Sequence, residues 1–138
     1  MPRVTLGFPT YDRPAFLAEA LRGCLDQTYD DYEVVVIDNG SGPATQEVLD
    51  RFCGPRLRVV RFAENIGLMP AYAALVEHAA GEIIAQLGDD DVCLPDRLER
   101  TVAALDAHPG AGVAHGDANR SSSSCVSGPE PLSTTTTS

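Results

Sequence analysis

The 138-residue chain is 43% hydrophobic and has no tryptophan, which is enough apolar material for one compact core and too little for two. Its formal net charge is −10 and all ten of its basic residues are arginine, so an electrostatic grip on nucleic acid or on an anionic membrane face is not expected over most of the surface. No apolar stretch approaches the ~20 residues of a transmembrane helix, and Cys24, Cys53, Cys93 and Cys125 form neither a C-x-x-C pair nor a zinc-type spacing; the expectation is a reduced, cytoplasmic protein that meets a membrane peripherally if at all.

Short β-rich runs alternate with amphipathic helical stretches along the chain. "RVTLGF" (3–8) reads as a first strand. Asp12 is placed to cap a helix beginning near Pro14, whose Phe16, Leu17, Ala20, Leu21, Cys24 and Leu25 share one face. "YEVVVID" (32–38) is almost continuously apolar, as strands buried on both faces are, and "NGSGPAT" (39–45) turns the chain into a helix carrying Val48, Leu49 and Phe52. "RLRVVRF" (56–62) alternates like a less buried strand, and residues 70–80 read as a helix stopped by Gly81. "EIIAQL" (82–87) is a fourth strand, a helix follows from about Pro95 to His108, and "GVAH" (112–115) is a fifth strand. The order βαβαβαβαβ predicts an α/β fold, a parallel sheet with helices on both faces. That domain is expected over residues 1–118. Residues 119–138 are dominated by Ser, Thr and Pro and are expected to be a disordered tail.

In open parallel sheets ligands bind at the carboxyl ends of the strands. Three such ends are polar here: "PTYDRP" (9–14), "DNGSG" (38–42) and "GDDD" (88–91). This topology gathers Thr10, Tyr11, Asp12, Asp38, Asn39 and the Asp89, Asp90, Asp91 triplet along one edge. Three adjacent carboxylates beside a buried strand repel each other unless a cation sits among them. Mg²⁺ or Mn²⁺ held by one or two carboxylates also binds diphosphate oxygens, which lets an acidic protein hold an acidic ligand. An aromatic ring, a group able to pair with a base edge and a metal-binding cluster are the parts of a nucleoside diphosphate site. Plainer readings stay open beside this one: Asp91 as the cap of the following helix, Asp38 as the cap of its own turn, Asp12 as a helix cap. A dehydrogenase would want G-x-G-x-x-G after the first strand, and a phosphohydrolase with an Asp nucleophile would want its D-x-D there; "PTYD" stands instead.

The run "VTLGFPTYDRPAFLAEALRGCLDQTYDDYEVVVIDNGSG", followed in order by "RFAENIGL", "AAGEIIAQLGDDDVCLPDRL" and "GVAHGD", resembles the N-terminal, nucleotide-binding half of the family 2 glycosyltransferases of the GT-A fold. The resemblance implies metal-dependent transfer of a sugar from a nucleoside-diphosphate donor, UDP-, dTDP- or GDP-linked, to a hydroxyl of a saccharide or lipid-linked acceptor, with inversion. It implies that Pro9, Thr10, Tyr11, Asp38, Asn39, Asp89 and Asp90 border the nucleotide, and that Asp89 and Asp91 hold Mn²⁺ or Mg²⁺. Asn39 stands where a second Asp is commoner, and Tyr72 and Ala73 stand where family members often carry a basic residue or Asn. The general base is implied in a C-terminal half that this sequence does not contain, so the chain is expected to be truncated, with a sugar-nucleotide-binding fragment without turnover as the alternative function.

Overall fold

The computed structural model describes residues 2–115 and 133–136, divided between two compact units, residues 1–95 and 96–138. The first unit holds four strands and three helices. They are β1 (Val4–Thr10), α1 (Pro14–Leu25), β2 (Tyr32–Asn39), α2 (Pro43–Arg51), β3 (Leu57–Phe62), α3 (Leu68–His78) and β4 (Ile83–Gln86). The strands form one all-parallel sheet in the order β3-β2-β1-β4.

Parallel neighbours need crossover connections, and these are almost always right-handed. Steps from β1 to β2 and from β2 to β3 run one way across the sheet and put α1 and α2 on one face. The step from β3 to β4 runs back past β1 and puts α3 on the other. Alternation within the strands follows. Val35 and Ile37 face α3 and pack with Ala71, Ala74 and Leu75; Leu6, Phe8, Val34 and Val36 point the opposite way and are fully buried, as are Leu17, Ala20 and Leu21 of α1. β1 and β2 are therefore buried on both sides, which is why they read as unbroken apolar runs.

Gly7 sets how closely α3 can lie on the sheet. A Cβ there would come within 2.5 Å of both Leu75 Cδ1 and the Val35 carbonyl oxygen. Any larger residue would lift α3 off β1. Pro stands at the start of both α1 and α2, where a missing N–H costs nothing and φ is already helical.

In the second unit α4 (Arg97–Ala107) is followed by β5 (Ala111–His115) and β6 (Ser133–Thr136). β5 departs from the expected fifth parallel strand: it pairs antiparallel with β6 in a separate two-stranded sheet. Thr is a good strand former, and the Ser/Thr segment 133–136 supplies that partner from inside the stretch expected to be a tail; residues 119–132, 137 and 138 of that stretch lie outside the described residues. No helix among the described residues is long and apolar enough to cross a membrane.

Candidate functional site

The order β3-β2-β1-β4 reverses at β1. Loops leaving the two strands on either side of such a reversal part toward opposite faces and leave a crevice at the carboxyl ends. A cleft of about 330 Å³ lies there. Pro9, Thr10, Tyr11 and Arg13 line it from the end of β1, Asn39 from the end of β2, Asn65 and Leu68 from the β3–α3 connection, and Asp89 from the turn after β4. A depression of similar size, about 340 Å³, lies between α2 and β3, but its charged groups, Asp50 and Arg61, already pair with each other at 2.7 Å. The cleft at the strand ends instead gathers polar groups from the ends of β1, β2 and β4 and from the β3–α3 connection.

One contact ties its two walls together. Thr10 Oγ1 donates to Asp89 Oδ2 at 3.1 Å, joining the end of β1 to the acidic turn 79 residues later. Thr10 is buried, so its hydroxyl has few other outlets. Asp90 Oδ2 accepts from Arg13 Nη1 at 3.4 Å, and Arg13 also lies 3.8 Å from Asp89 Oδ1. Asp91 does not cap α4, which has no side-chain cap. Its Oδ2 accepts from the Gly88 amide at 3.0 Å while its own amide donates to the Gly88 carbonyl at 3.1 Å, closing the acidic turn on itself.

Asp12 is likewise no helix cap, since α1 has none. It is the non-glycine with positive φ among the described residues, at 47°, a conformation that Asp tolerates better than most. Its Oδ1 accepts from the Gly42 amide at 2.7 Å and its amide donates to Ser41 Oγ at 3.0 Å. The loop after β1 is thus pinned to the loop after β2, which leaves Tyr11 47% exposed at the cleft and turns Arg13 toward the acidic turn. Backbone strain held by its surroundings in this way is common at functional sites.

The second strand end is organised by two side chains with separate tasks. Asp38 is 1% exposed and does not line the cleft; its Oδ1 accepts from the Ser41 amide at 3.0 Å, and Arg61 Nε lies 3.8 Å from Oδ2. It holds its own turn, as the plainer reading of the sequence allows. Asn39 lines the cleft, but all of its amide is engaged. Nδ2 donates to Asn65 Oδ1 at 3.1 Å and to the Gly67 carbonyl at 3.2 Å, and Oδ1 accepts from the Ile66 amide at 2.9 Å. Gly40, at φ 79°, allows the two loops to meet, because a Cβ there would sit 2.5 Å from the Glu64 carbonyl carbon.

Tyr72, one turn into α3, packs against the Val35/Ile37 cluster. Burial first, then the negative charges of Asp89 and Asp91, push its phenol above the ordinary value of 10.0. Among the described residues no group of three or more His, Cys, Asp or Glu is gathered closely enough to hold a metal ion. Sequence reasoning did not single out Arg13, Asn65 or Leu68. The available signal for Arg13 was a single cation beside one polar strand end, with three acids on the end of the next strand in the sheet.

The model of glycosyl transferase family 2 matches residues 5–124. The succinoglycan biosynthesis protein ExoO of Rhizobium meliloti is 34% identical over 114 residues, which cover 83% of this chain and 32% of that protein. Among solved structures, the mannosyltransferase PcManGT from Pyrobaculum calidifontis, in complex with GDP-Man and Mn²⁺, superposes with a TM-score of 0.76 at 32% identity, covering 86% of this chain and 36% of the other. S. aureus TarS 1-349 in complex with UDP-GlcNAc superposes with a TM-score of 0.75 at 22% identity, covering 84% and 34%, a likeness of fold. The chain thus spans about a third of the length of each of these proteins. With its all-parallel sheet, its helices on both faces and a family match over most of its length, the chain belongs to glycosyl transferase family 2.

Proposed function

We propose that the cleft binds the nucleoside diphosphate of an activated sugar with a divalent cation, and that the chain supplies the donor-binding part of an inverting glycosyltransferase acting on a saccharide or lipid-linked hydroxyl. The observation that carries this reading is the Thr10–Asp89 contact at the sheet's reversal point, which sets a carboxylate turn beside an exposed aromatic ring at the place where parallel sheets bind ligands. The mannosyltransferase neighbour, in complex with GDP-Man and Mn²⁺, supports it.

The donor set fits such a cation. Mg²⁺ and Mn²⁺ take one or two protein carboxylates and leave the remaining positions to water and phosphate oxygens, so a full protein cage is not needed. Asp89, which lines the cleft, and Asp91, whose carboxylate closes the same turn on the Gly88 amide, are the two carboxylates that would hold it. When bound, the cation stabilises the negative charge that develops on the departing diphosphate. The chain's own residues do the positioning. Thr10 fixes the Asp89 carboxylate, Asp12 pins the loop that presents Tyr11 for stacking on the base, and Asn39 holds Asn65 and Gly67 as the opposite wall. Asp38, with Arg61 beside it, holds the turn that follows β2.

Asp89 is the one carboxylate among the described residues lining the cleft, and it is engaged by Thr10 and Arg13. That favours a second reading in which this chain binds donor without transferring sugar, because no lining group is spare to take the acceptor proton.

Calorimetric titration of UDP, dTDP and GDP with Mn²⁺ and with excess chelator tests the first reading. Binding should need the metal, should vanish in Asp91→Ala and should persist in His78→Ala, at the far end of α3. Equal affinity in chelator would remove the metal from the account. A radiolabelled-donor assay separates the readings: binding with no more than slow hydrolysis supports the second, and robust acceptor glycosylation by this chain sinks it.

A further inference from the structure

We propose that Arg13 is the counter-cation of the acidic turn in the metal-free protein, so that a divalent cation must displace it, and that the released guanidinium then grips the donor diphosphate. This rests on the reading of Asp89 and Asp91 as the metal carboxylates.

The acidic turn already has a cation beside it. Arg13 Nη1 stands 3.4 Å from Asp90 Oδ2 and 3.8 Å from Asp89 Oδ1, so a single guanidinium spans two of the three adjacent carboxylates. Its place is imposed from elsewhere. Asp12 holds positive φ because Gly42 and Ser41 fasten it, and Pro14 keeps Arg13 out of the helix; its backbone is at φ −127° and ψ 61°. The side chain is about half exposed and lines the cleft. It is therefore held near the carboxylates by its backbone while its tip remains free to swing.

A divalent ion on Asp89 and a guanidinium beside it repel each other. Exposed ion pairs are weak, so the guanidinium is a displaceable occupant, enough to relieve repulsion within the turn and too little to exclude a divalent ion. Once displaced it still lines the same cleft. A guanidinium presents five N–H donors in a planar fork that matches phosphate oxygens two at a time. Removing it should therefore move two affinities in opposite directions. Metal binding tightens, and diphosphate binding to the metal-loaded protein weakens. A merely structural arginine would move both the same way or neither.

The test uses Mn²⁺ alone, followed by the loss of its free-ion paramagnetic resonance signal, on the wild-type chain, Arg13→Gln and Arg13→Lys. Calorimetry of UDP and GDP on the Mn²⁺-saturated proteins completes it. Arg13→Gln should bind Mn²⁺ about two- to fivefold more tightly, the range that an exposed ion pair spans, and should bind the nucleoside diphosphates at least about tenfold more weakly, as loss of a charged phosphate contact does. Arg13→Lys should fall between. The gain in Mn²⁺ affinity should shrink in an Asp90→Asn background, where the 3.4 Å partner is gone. If wild-type and Arg13→Gln chains bind Mn²⁺ through Asp91 with equal affinity, or Arg13→Gln binds it more weakly, the displacement is refuted while the metal site stands. If neither chain binds Mn²⁺, both the metal reading and this inference fall.

Discussion

Replacing Asn39 tests the wall of the cleft that the sequence made hardest to read. Asn39→Ala deletes three hydrogen bonds at once: to Asn65 Oδ1 at 3.1 Å, to the Gly67 carbonyl at 3.2 Å and from the Ile66 amide at 2.9 Å. At a net ~1 kcal/mol each, the cost is about 3 kcal/mol, a large share of the ~5–15 kcal/mol that holds a domain folded. Asn39→Asp is the sharper variant because its shape is unchanged. The oxygen facing Ile66 keeps its donor, but the other now points at two acceptors. Asn65 cannot flip to help, since its Oδ1 also accepts from the Gly67 amide at 2.8 Å. The introduced carboxylate should cost at least as much as Ala at neutral pH. Facing acceptors and burial raise its pKa in the folded state, so the penalty is present at neutral pH and shrinks as the pH falls through that raised value, where the acid form donates again. Urea unfolding followed by far-UV circular dichroism at about pH 7 and about pH 4 measures both, the lower value lying near the ordinary carboxyl range. An Asn39→Ala cost below about 0.5 kcal/mol, the range of an indifferent surface change, would refute the reasoning.

Thr10→Val keeps the shape and loses the donor to Asp89; it should cost about 1.5–3 kcal/mol in unfolding free energy, as lost bonds to charged groups do, and weaken nucleotide binding, both read by titration of the purified variant. Gly7→Ala drives a Cβ to 2.5 Å from the Val35 carbonyl and Leu75 and should lower the unfolding free energy by about 1–3 kcal/mol, the usual cost of overpacking; an unchanged urea midpoint contradicts the close α3 packing. Burial raises the phenols of both Tyr32 and Tyr72 above 10.0, so the unfolded chain gives up these protons first. Stability should be intact below pH 10.0 and fall as the pH rises past it, by less in Tyr32→Phe, which no longer carries the hydroxyl that donates to the Cys24 carbonyl. Urea midpoints at about pH 9 and about pH 11, on either side of the phenol range, check the sign.

Elements carried by local rules were legible in the sequence. Pro14 and Pro43 mark the helix starts that α1 and α2 show, and the apolar runs of β1 and β2 announce burial on both faces. The gathering of Thr10, Tyr11 and Asp89 followed from topology alone, because the end of each parallel strand lies on one edge. What local pattern could not supply were bonds between distant residues. Asp12 reads as a helix cap by position, yet its partners are Ser41 and Gly42, and no spacing rule links them. Asp38 and Asn39 look interchangeable in sequence, whereas the alternation of β2 and the neighbouring loop bury one in its own turn and spend the other on residues 65–67. β5 was legible as a strand, and its partner was not, because a Thr-rich segment carries no apolar alternation to declare a pairing.

On this reading the cleft between the ends of β1 and β4 holds a nucleoside diphosphate and a divalent cation. The most direct test is a crystal structure of the chain grown with Mn²⁺ and either UDP or GDP, with data collected at the manganese absorption edge. The expected result is an anomalous peak bound by Asp89 and Asp91, a diphosphate between that ion and Arg13, and the base against Tyr11. A nucleotide seated elsewhere, or a diphosphate in this cleft with no manganese signal beside Asp89 and Asp91, would contradict it.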